Sequence, residues 1–127
     1  MRVFKTKTFA RFARRERISD GSLCEAIRRA ERGLIDADLG GGVIKQRVAR
    51  AGQGRSGGYR VLAAYRAKAR SVFLFGFAKS ERENVDDDEL ETLRDIARGW
   101  LMADAKALTR AIDQGLIEEV EYGQEEA

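Results

Sequence analysis

At Gly40-Gly41-Gly42 the spacing of apolar residues changes from helical to alternating, and a chain that changes period in this way packs helices against a sheet. Upstream, Phe9, Phe12 and Ala13 share one face of a helix expected over Thr6–Arg17, with Arg11, Arg14, Arg15 and Arg17 around the rest. Ser19-Asp20-Gly21 breaks that helix. Ser22-Leu23-Cys24-Glu25 then reads as a capping box, with Ser22 at the N-cap and Glu25 three residues on. The helix it starts carries Leu23, Ile27, Ala30 and Leu34 and ends near Gly33, so residues 1–36 predict an αα-hairpin.

Beyond the glycines, Val43–Arg50 sets Ile44 and Val48 on one face and Lys45 and Arg47 on the other. Tyr59–Arg66 alternates again, with Tyr59, Val61, Ala63 and Tyr65 opposing Arg60, Leu62, Ala64 and Arg66. Ser71–Ala78 is apolar on both faces, as a doubly covered strand requires. The connections are too short for helical crossovers, so residues 43–79 predict an antiparallel meander.

Asp86-Asp87-Asp88-Glu89 then places negative charge where a helix N-terminus favours it. Leu90, Leu93, Ala97, Trp100 and Leu101 form an apolar stripe that Ala105, Leu108 and Ile112 continue. Residues 86–114 predict one long helix, or a pair broken near Met102–Asp104, with Gly115 as its end and Leu116–Tyr122 as a short final strand. The expected fold is α+β: a small antiparallel sheet of about three to four strands, an N-terminal αα-hairpin and a long C-terminal helix or helix pair. Its C-terminal stripe is expected on the sheet edge. The length of 127 residues predicts a single domain over 1–127.

No apolar run approaches the ~20 residues of a membrane span, and no export signal opens the chain, so a cytoplasmic address is expected. Cys24 has no second cysteine to pair with and reads as a small buried residue. With no histidine and one cysteine, neither a metal nor a cofactor is expected, and acid–base chemistry falls to Lys, Arg, Tyr, Ser or carboxylates.

The net charge of +3 hides a division: residues 1–80 carry +13 and residues 81–127 carry −10. Between Leu39 and Ser80 there is no acidic residue, against nine Lys or Arg. A solvated surface normally mixes both signs, so this stretch points to a polyanionic partner. Within it the strand pattern gathers Lys45, Arg47 and Arg60 on one sheet face, with Lys79 and Arg82 where the third strand ends. Arg50, Arg55 and Arg66 are candidate RNA contacts in or beside the same strands. Such a site suits RNA transesterification: a ribose 2′-OH attacks the adjacent phosphate, and fixed cations stabilise the charge on the phosphorane oxygens. A lysine crowded by like charges gives up its proton more readily and can serve as the base.

Gly52-Gln53-Gly54-Arg55-Ser56-Gly57 matches the dinucleotide-binding GxGxxG letter for letter. That fingerprint requires a following helix to receive the pyrophosphate, and strand alternation follows here, so it is read as a hairpin loop.

Two N-terminal helices, the strand start Gly58-Tyr59-Arg60, and a hydrophobic strand running into Phe77-Ala78-Lys79-Ser80-Glu81-Arg82-Glu83-Asn84 together resemble the RelE/ParE superfamily of type II toxin–antitoxin toxins, particularly its HigB-like branch. The resemblance is strongest from Val43 to Asn84. It implies a small antiparallel sheet with a helical hairpin on one face, and a ribosome-dependent endoribonuclease that cuts mRNA in the ribosomal A site. The implied partners are the ribosome, mRNA and a neutralising antitoxin protein. Lys45 and Arg47 match the family's paired basic positions, and Arg60 its phosphate-stabilising arginine. Lys79 and Arg82 flank a position where many active members place another arginine and where Ser80 stands here. The aromatic residue that some members use shortly afterwards falls near Asp86. Two further functions share this fold: a ParE-like inhibitor of DNA gyrase, and a non-catalytic RNA- or ribosome-binding module.

Overall fold

The computed structural model describes residues 1–50 and 54–123, with residues 54–56 described by their backbone alone. Its elements run β1 (Arg2–Thr6), α1 (Lys7–Glu16), α2 (Asp20–Glu31), β2 (Ala37–Gly40), β3 (Val43–Arg50), β4 (Gly54–Arg66), β5 (Arg70–Ala78), α3 (Asp87–Met102), α4 (Ala105–Asp113) and β6 (Ile117–Val120). The fold is α+β and, among the described residues, has four helices and one six-stranded sheet in the order β2-β3-β4-β5-β1-β6. All neighbours are antiparallel except β1 and β5, which run parallel from Arg2↔Arg70 to Lys5↔Phe73.

The alternation expected of β3 and β4 is realised and β5 is apolar on both faces, with a bulge opposite Leu62–Ala63, and the sheet is wider than that meander. Three strands add to it. β1 precedes the helical hairpin, so residues 1–36 are strand and helices rather than helices alone. β2 occupies Ala37–Gly40, and the glycine run is the turn into β3 rather than an interruption. Gly40, Gly41 and Gly42 all have positive φ, of 81°, 62° and 84°, which side chains rarely tolerate. A Cβ on Gly41 would stand 2.8 Å from Arg94 Cγ, and one on Gly42 2.7 Å from Leu101 Cδ1, because α3 lies across this turn. β6 is the expected final strand.

The N-cap of α2 is Ser19, whose hydroxyl accepts from Ser22 N–H at 3.1 Å, one turn earlier than the expected Ser22–Glu25 box. Asp20 thereby enters the favourable first turn, and Glu25 is released to pair with Arg29 at 2.9 Å. The C-terminal segment is a helix pair, parted at Ala103–Asp104 as the sequence allowed. Asp86 and Glu89 form a reciprocal capping box at the start of α3.

The sheet is covered on both faces. α1 and α2 seal one face over Val3, Ile44, Val48, Tyr59, Val61, Ala63 and Phe73. α3 and α4 seal the other over Phe4, Val43, Leu62, Ala64, Val72 and Leu74. The C-terminal stripe therefore packs on a sheet face and not on its edge; Leu93, Ala97 and Leu101 are buried there, with Leu90 and Trp100 partly so. Among the described residues no helix is long and apolar enough to cross a membrane.

Candidate functional site

Alternation on β3 sends Val43, Lys45 and Arg47 to the α3 side of the sheet, and on β4 it sends Arg60, Leu62 and Ala64 there. α3 covers Val43, Leu62 and Ala64 and leaves the cations beside it. Register then decides what meets. Arg47 lies directly opposite Arg60, Lys45 opposite Leu62, and Arg60 opposite Phe77 of β5. Gly58 permits this approach of β4 to β3: a Cβ there would fall 2.3 Å from the Val48 carbonyl oxygen.

Arg60 is only 8% exposed, and its Nη1 donates to the Tyr59 carbonyl at 3.4 Å. Burial pushes its guanidinium pKa down, and the charge of Arg47 pushes it further, against the opposing pull of Asp36 and Glu83. Like charges directly across a strand pair destabilise a sheet. A phosphate between Arg47 and Arg60 reverses the sign of that term and gives the planar forks a bidentate partner.

Arg47 is fixed from behind by residues that sequence reasoning missed. Its backbone N–H donates to Asp36 Oδ2 at 2.7 Å, and its carbonyl accepts from Arg29 Nη2. Arg29, 5% exposed, also binds Asp36 at 3.2 Å. Gln46 is 1% exposed; its Oε1 accepts from Asp36 N–H at 2.7 Å and its Nε2 donates to the Ala26 carbonyl at 2.9 Å. Beyond Lys45, where β2 no longer pairs with β3, this side-chain network satisfies the strand. The one sequence signal was Gln46 itself, a polar residue between Ile44 and Val48 on the apolar face.

The remaining candidates divide. Lys45 Nζ donates to Asn84 Oδ1 at 3.3 Å, which ties β3 to the loop before α3. Arg82 lies over Phe75 and Phe77, 5.9 and 5.5 Å from the ring centroids, and so borders the Arg60 side of the face. Its donors are committed: Nη2 and Nη1 bind Glu89 at 2.5 and 3.2 Å, and Nε binds the Asn84 carbonyl at 2.9 Å. Lys79 follows β5, and its backbone N–H donates to the Gly58 carbonyl at 2.9 Å. Arg50 turns away from this group, its guanidinium 5.5 Å from the Tyr59 ring centroid, and Tyr59 belongs to the α1–α2 core. Arg66 ends β4 opposite Arg70, six residues beyond Arg60 and so roughly 20 Å along the strand. The side chain of Arg55 lies outside the described residues. Of the GxGxxG letters, Gly52 and Gln53 lie outside the described residues and Gly54–Gly57 open β4, so the motif runs into a strand rather than the expected loop, and no helix follows it.

The face thus brings Lys45, Arg47 and Arg60 together, with Arg82 on its border, and leaves Arg50 and Arg66 elsewhere. Its chemistry is that of an anion site able to hold a phosphodiester and to stabilise added charge on it. A family model for the RelE toxin of the RelE/RelB toxin–antitoxin system matches residues 1–120. No curated protein matches the chain.

Proposed function

The chain belongs to the RelE toxin family of toxin–antitoxin systems, and from that premise we propose that it is a ribosome-dependent endoribonuclease of the HigB-like branch that cleaves mRNA and arrests translation. The reading takes residues 1–127 as one domain acting in the cytoplasm, held inactive by a cognate antitoxin protein and using no metal. The observation that carries it is the opposed pair Arg47 and Arg60, with Lys45 two residues away on the same face. A partly desolvated pair of guanidiniums stabilises a phosphorane better than it stabilises the less charged diester, which is the difference a catalyst needs.

In this reading the 2′-oxygen attacks the adjacent phosphorus, the bond to the 5′-oxygen breaks, and a 2′,3′-cyclic phosphate forms. Lys45 or Lys79 takes the 2′-OH proton. Arg47 and Arg60 hold the non-bridging oxygens, and Arg82 borders the path. The leaving 5′-oxygen needs a proton for which this face offers no histidine, so the ribosome supplies alignment and part of the chemistry. Free protein is then a poor nuclease on naked transcripts. Arg50, Arg55 and Arg66 act, where they act, on RNA outside the reacting phosphate.

Inhibition of DNA gyrase, or RNA binding without cleavage, is the competing reading on this fold. It is favoured by the commitment of Arg82 to Glu89, which removes one cation from the free inventory. Induction in a translating extract, with mRNA 5′ ends mapped in the presence and absence of ribosomes, tests the proposal. New 5′ ends that require ribosomes are expected. Intact mRNA together with inhibited supercoiling by purified gyrase would replace it with the gyrase reading.

A further inference from the structure

Between the first turns of α3 and strand β5 lies a cleft of about 350 Å³ lined by Phe75, Asp88, Glu89, Thr92 and Leu93. It adjoins the cationic face. Arg60 is the cross-strand neighbour of Phe77, the Phe77 and Phe75 rings are 6.1 Å apart, and Arg82 spans both rings. A strand whose phosphate sits at Arg47 and Arg60 therefore has a pocket one residue's reach beyond Arg82.

The lining states what the pocket accepts. Phe75 is half-buried and Leu93 buried, so the floor takes a flat apolar surface. The rim is acidic. The Glu89 carboxylate is occupied by Arg82 and by the Asp86 N–H at 2.9 Å. The Asp88 side chain has no hydrogen-bond or ion-pair partner among the described residues and is exposed at the mouth. A carboxylate repels phosphate and accepts hydrogen bonds only. The matching ligand is a flat ring with N–H donors on one edge and its phosphate outside, on the Arg82 side. Among the RNA bases guanine presents adjacent N1–H and N2–H donors that pair with both oxygens of one carboxylate. Cytosine and adenine offer one amino group, and uracil one imide N–H.

We propose that this cleft is a nucleobase pocket in which Asp88 selects guanine, beside the phosphate held by Arg47 and Arg60. The assignment rests on the RNA-cleavage reading, and it adds a determinant of where the RNA is cut. An unstacked base splayed from a single strand is the form of RNA a pocket of this size takes. Thr92, exposed on α3 at the same rim, sets how much room the ring has.

The probes are guanosine, adenosine and cytidine 5′-monophosphates, titrated into the full-length protein by calorimetry. Guanosine monophosphate is expected to bind at least tenfold more tightly than the other two. Asp88→Asn should abolish that discrimination, and Thr92→Trp, which fills the cleft from an exposed helix position, should remove binding altogether. Equal affinity for the three nucleotides, absence of binding, or discrimination untouched in a folded Asp88→Asn protein would overturn the proposal. Cut-site mapping keeps the two readings apart. Thr92→Trp that still cleaves but loses a guanine preference supports the pocket, whereas cleavage at unchanged sites refutes it and leaves the nuclease reading standing. Guanine discrimination in a wild-type protein that cuts no RNA would refute the nuclease reading and leave the pocket.

Discussion

Arg47 and Arg60 are directly opposed across β3 and β4, two guanidiniums on one sheet face with one of them buried. A sheet gains nothing from that pairing, and in the proposed reading a phosphate bound between them offsets it. Arg60→Met keeps the length and apolar stem while removing the charge. It is expected to leave the melting temperature near the wild-type value, because relief of burial and repulsion offsets the lost hydrogen bond to the Tyr59 carbonyl. It is also expected to lose growth arrest, since a missing transition-state cation costs on the order of 3 kcal/mol. Circular dichroism melts and cleavage rates in a translating extract check both halves. A folded Arg60→Met protein that cuts at the wild-type rate would remove Arg60 from the site.

Arg29 holds Glu25, Asp36 and the Arg47 carbonyl from the α2 side of the sheet. Replacing it with Met leaves Asp36 half-buried without its guanidinium, and breaking a buried pair from one side costs roughly 3–5 kcal/mol. The urea midpoint of Arg29→Met should fall accordingly. A midpoint within error of wild type would mean that β3 is held by its strand neighbours alone.

Arg70 caps α3 from the sheet. Its Nη1 donates to the carbonyls of Trp100 and Ala103 at 2.7 and 2.8 Å, acceptors at the helix end to which no further turn of α3 donates an N–H. Arg70→Ala should cost about 1–3 kcal/mol through the unsatisfied carbonyls. Hydrogen exchange should quicken first in the last turn of α3 and in α4; uniform exchange across the molecule would contradict a local cap.

Arg2 and Glu119 join β1 to β6 through two bonds of 2.9 Å, and the hydrogen bond from Arg2 holds the Glu119 carboxyl below its ordinary pKa. A depressed native pKa stabilises the fold above the unfolded value of ~4.3, and the contribution is lost as pH falls through the native value. Both side chains are 40% or more exposed, so the pair is worth under about 1 kcal/mol. Melting temperature measured from pH 7 to pH 3 should decline less steeply in Glu119→Gln than in the wild type. Parallel curves would show that the pair contributes nothing.

What the sequence disclosed was periodic. Ile44 and Val48 against Lys45 and Arg47, and Tyr59 against Arg60, were legible because a buried face repeats every second residue. β1 was not, because Arg2–Thr6 is short and holds two cations and a threonine; it is a strand through its partners β5 and β6, far away in the chain. The glycine run looked like a break because composition does not distinguish a boundary from a turn with three positive φ angles. Alternation placed Lys45, Arg47 and Arg60 on one face, but that Arg47 meets Arg60 is a matter of register. The same alternation put Arg50 with Ile44 and Val48, on the opposite face from Arg47. Arg66 shares the face of Arg60 and is removed from it by distance along β4. The hold of Arg29 and Asp36 on Arg47 joins α2, the approach to β2 and β3, and no local pattern encodes such a contact.

The placing of β1 between β5 and β6 has a consequence for biosynthesis. Val3 is made before both of its sheet neighbours, Ser71 on one side and Val120 on the other. The β3–β4–β5 hairpins can form as they emerge, since their contacts are short in sequence. The first strand has no slot to enter until Arg70–Phe73 has appeared, and its outer edge stays bare until Ile117–Val120 follows. A nascent chain of this protein therefore carries β1 unpaired while β2, β3 and β4 are made, and closes its sheet only when β6 follows β5.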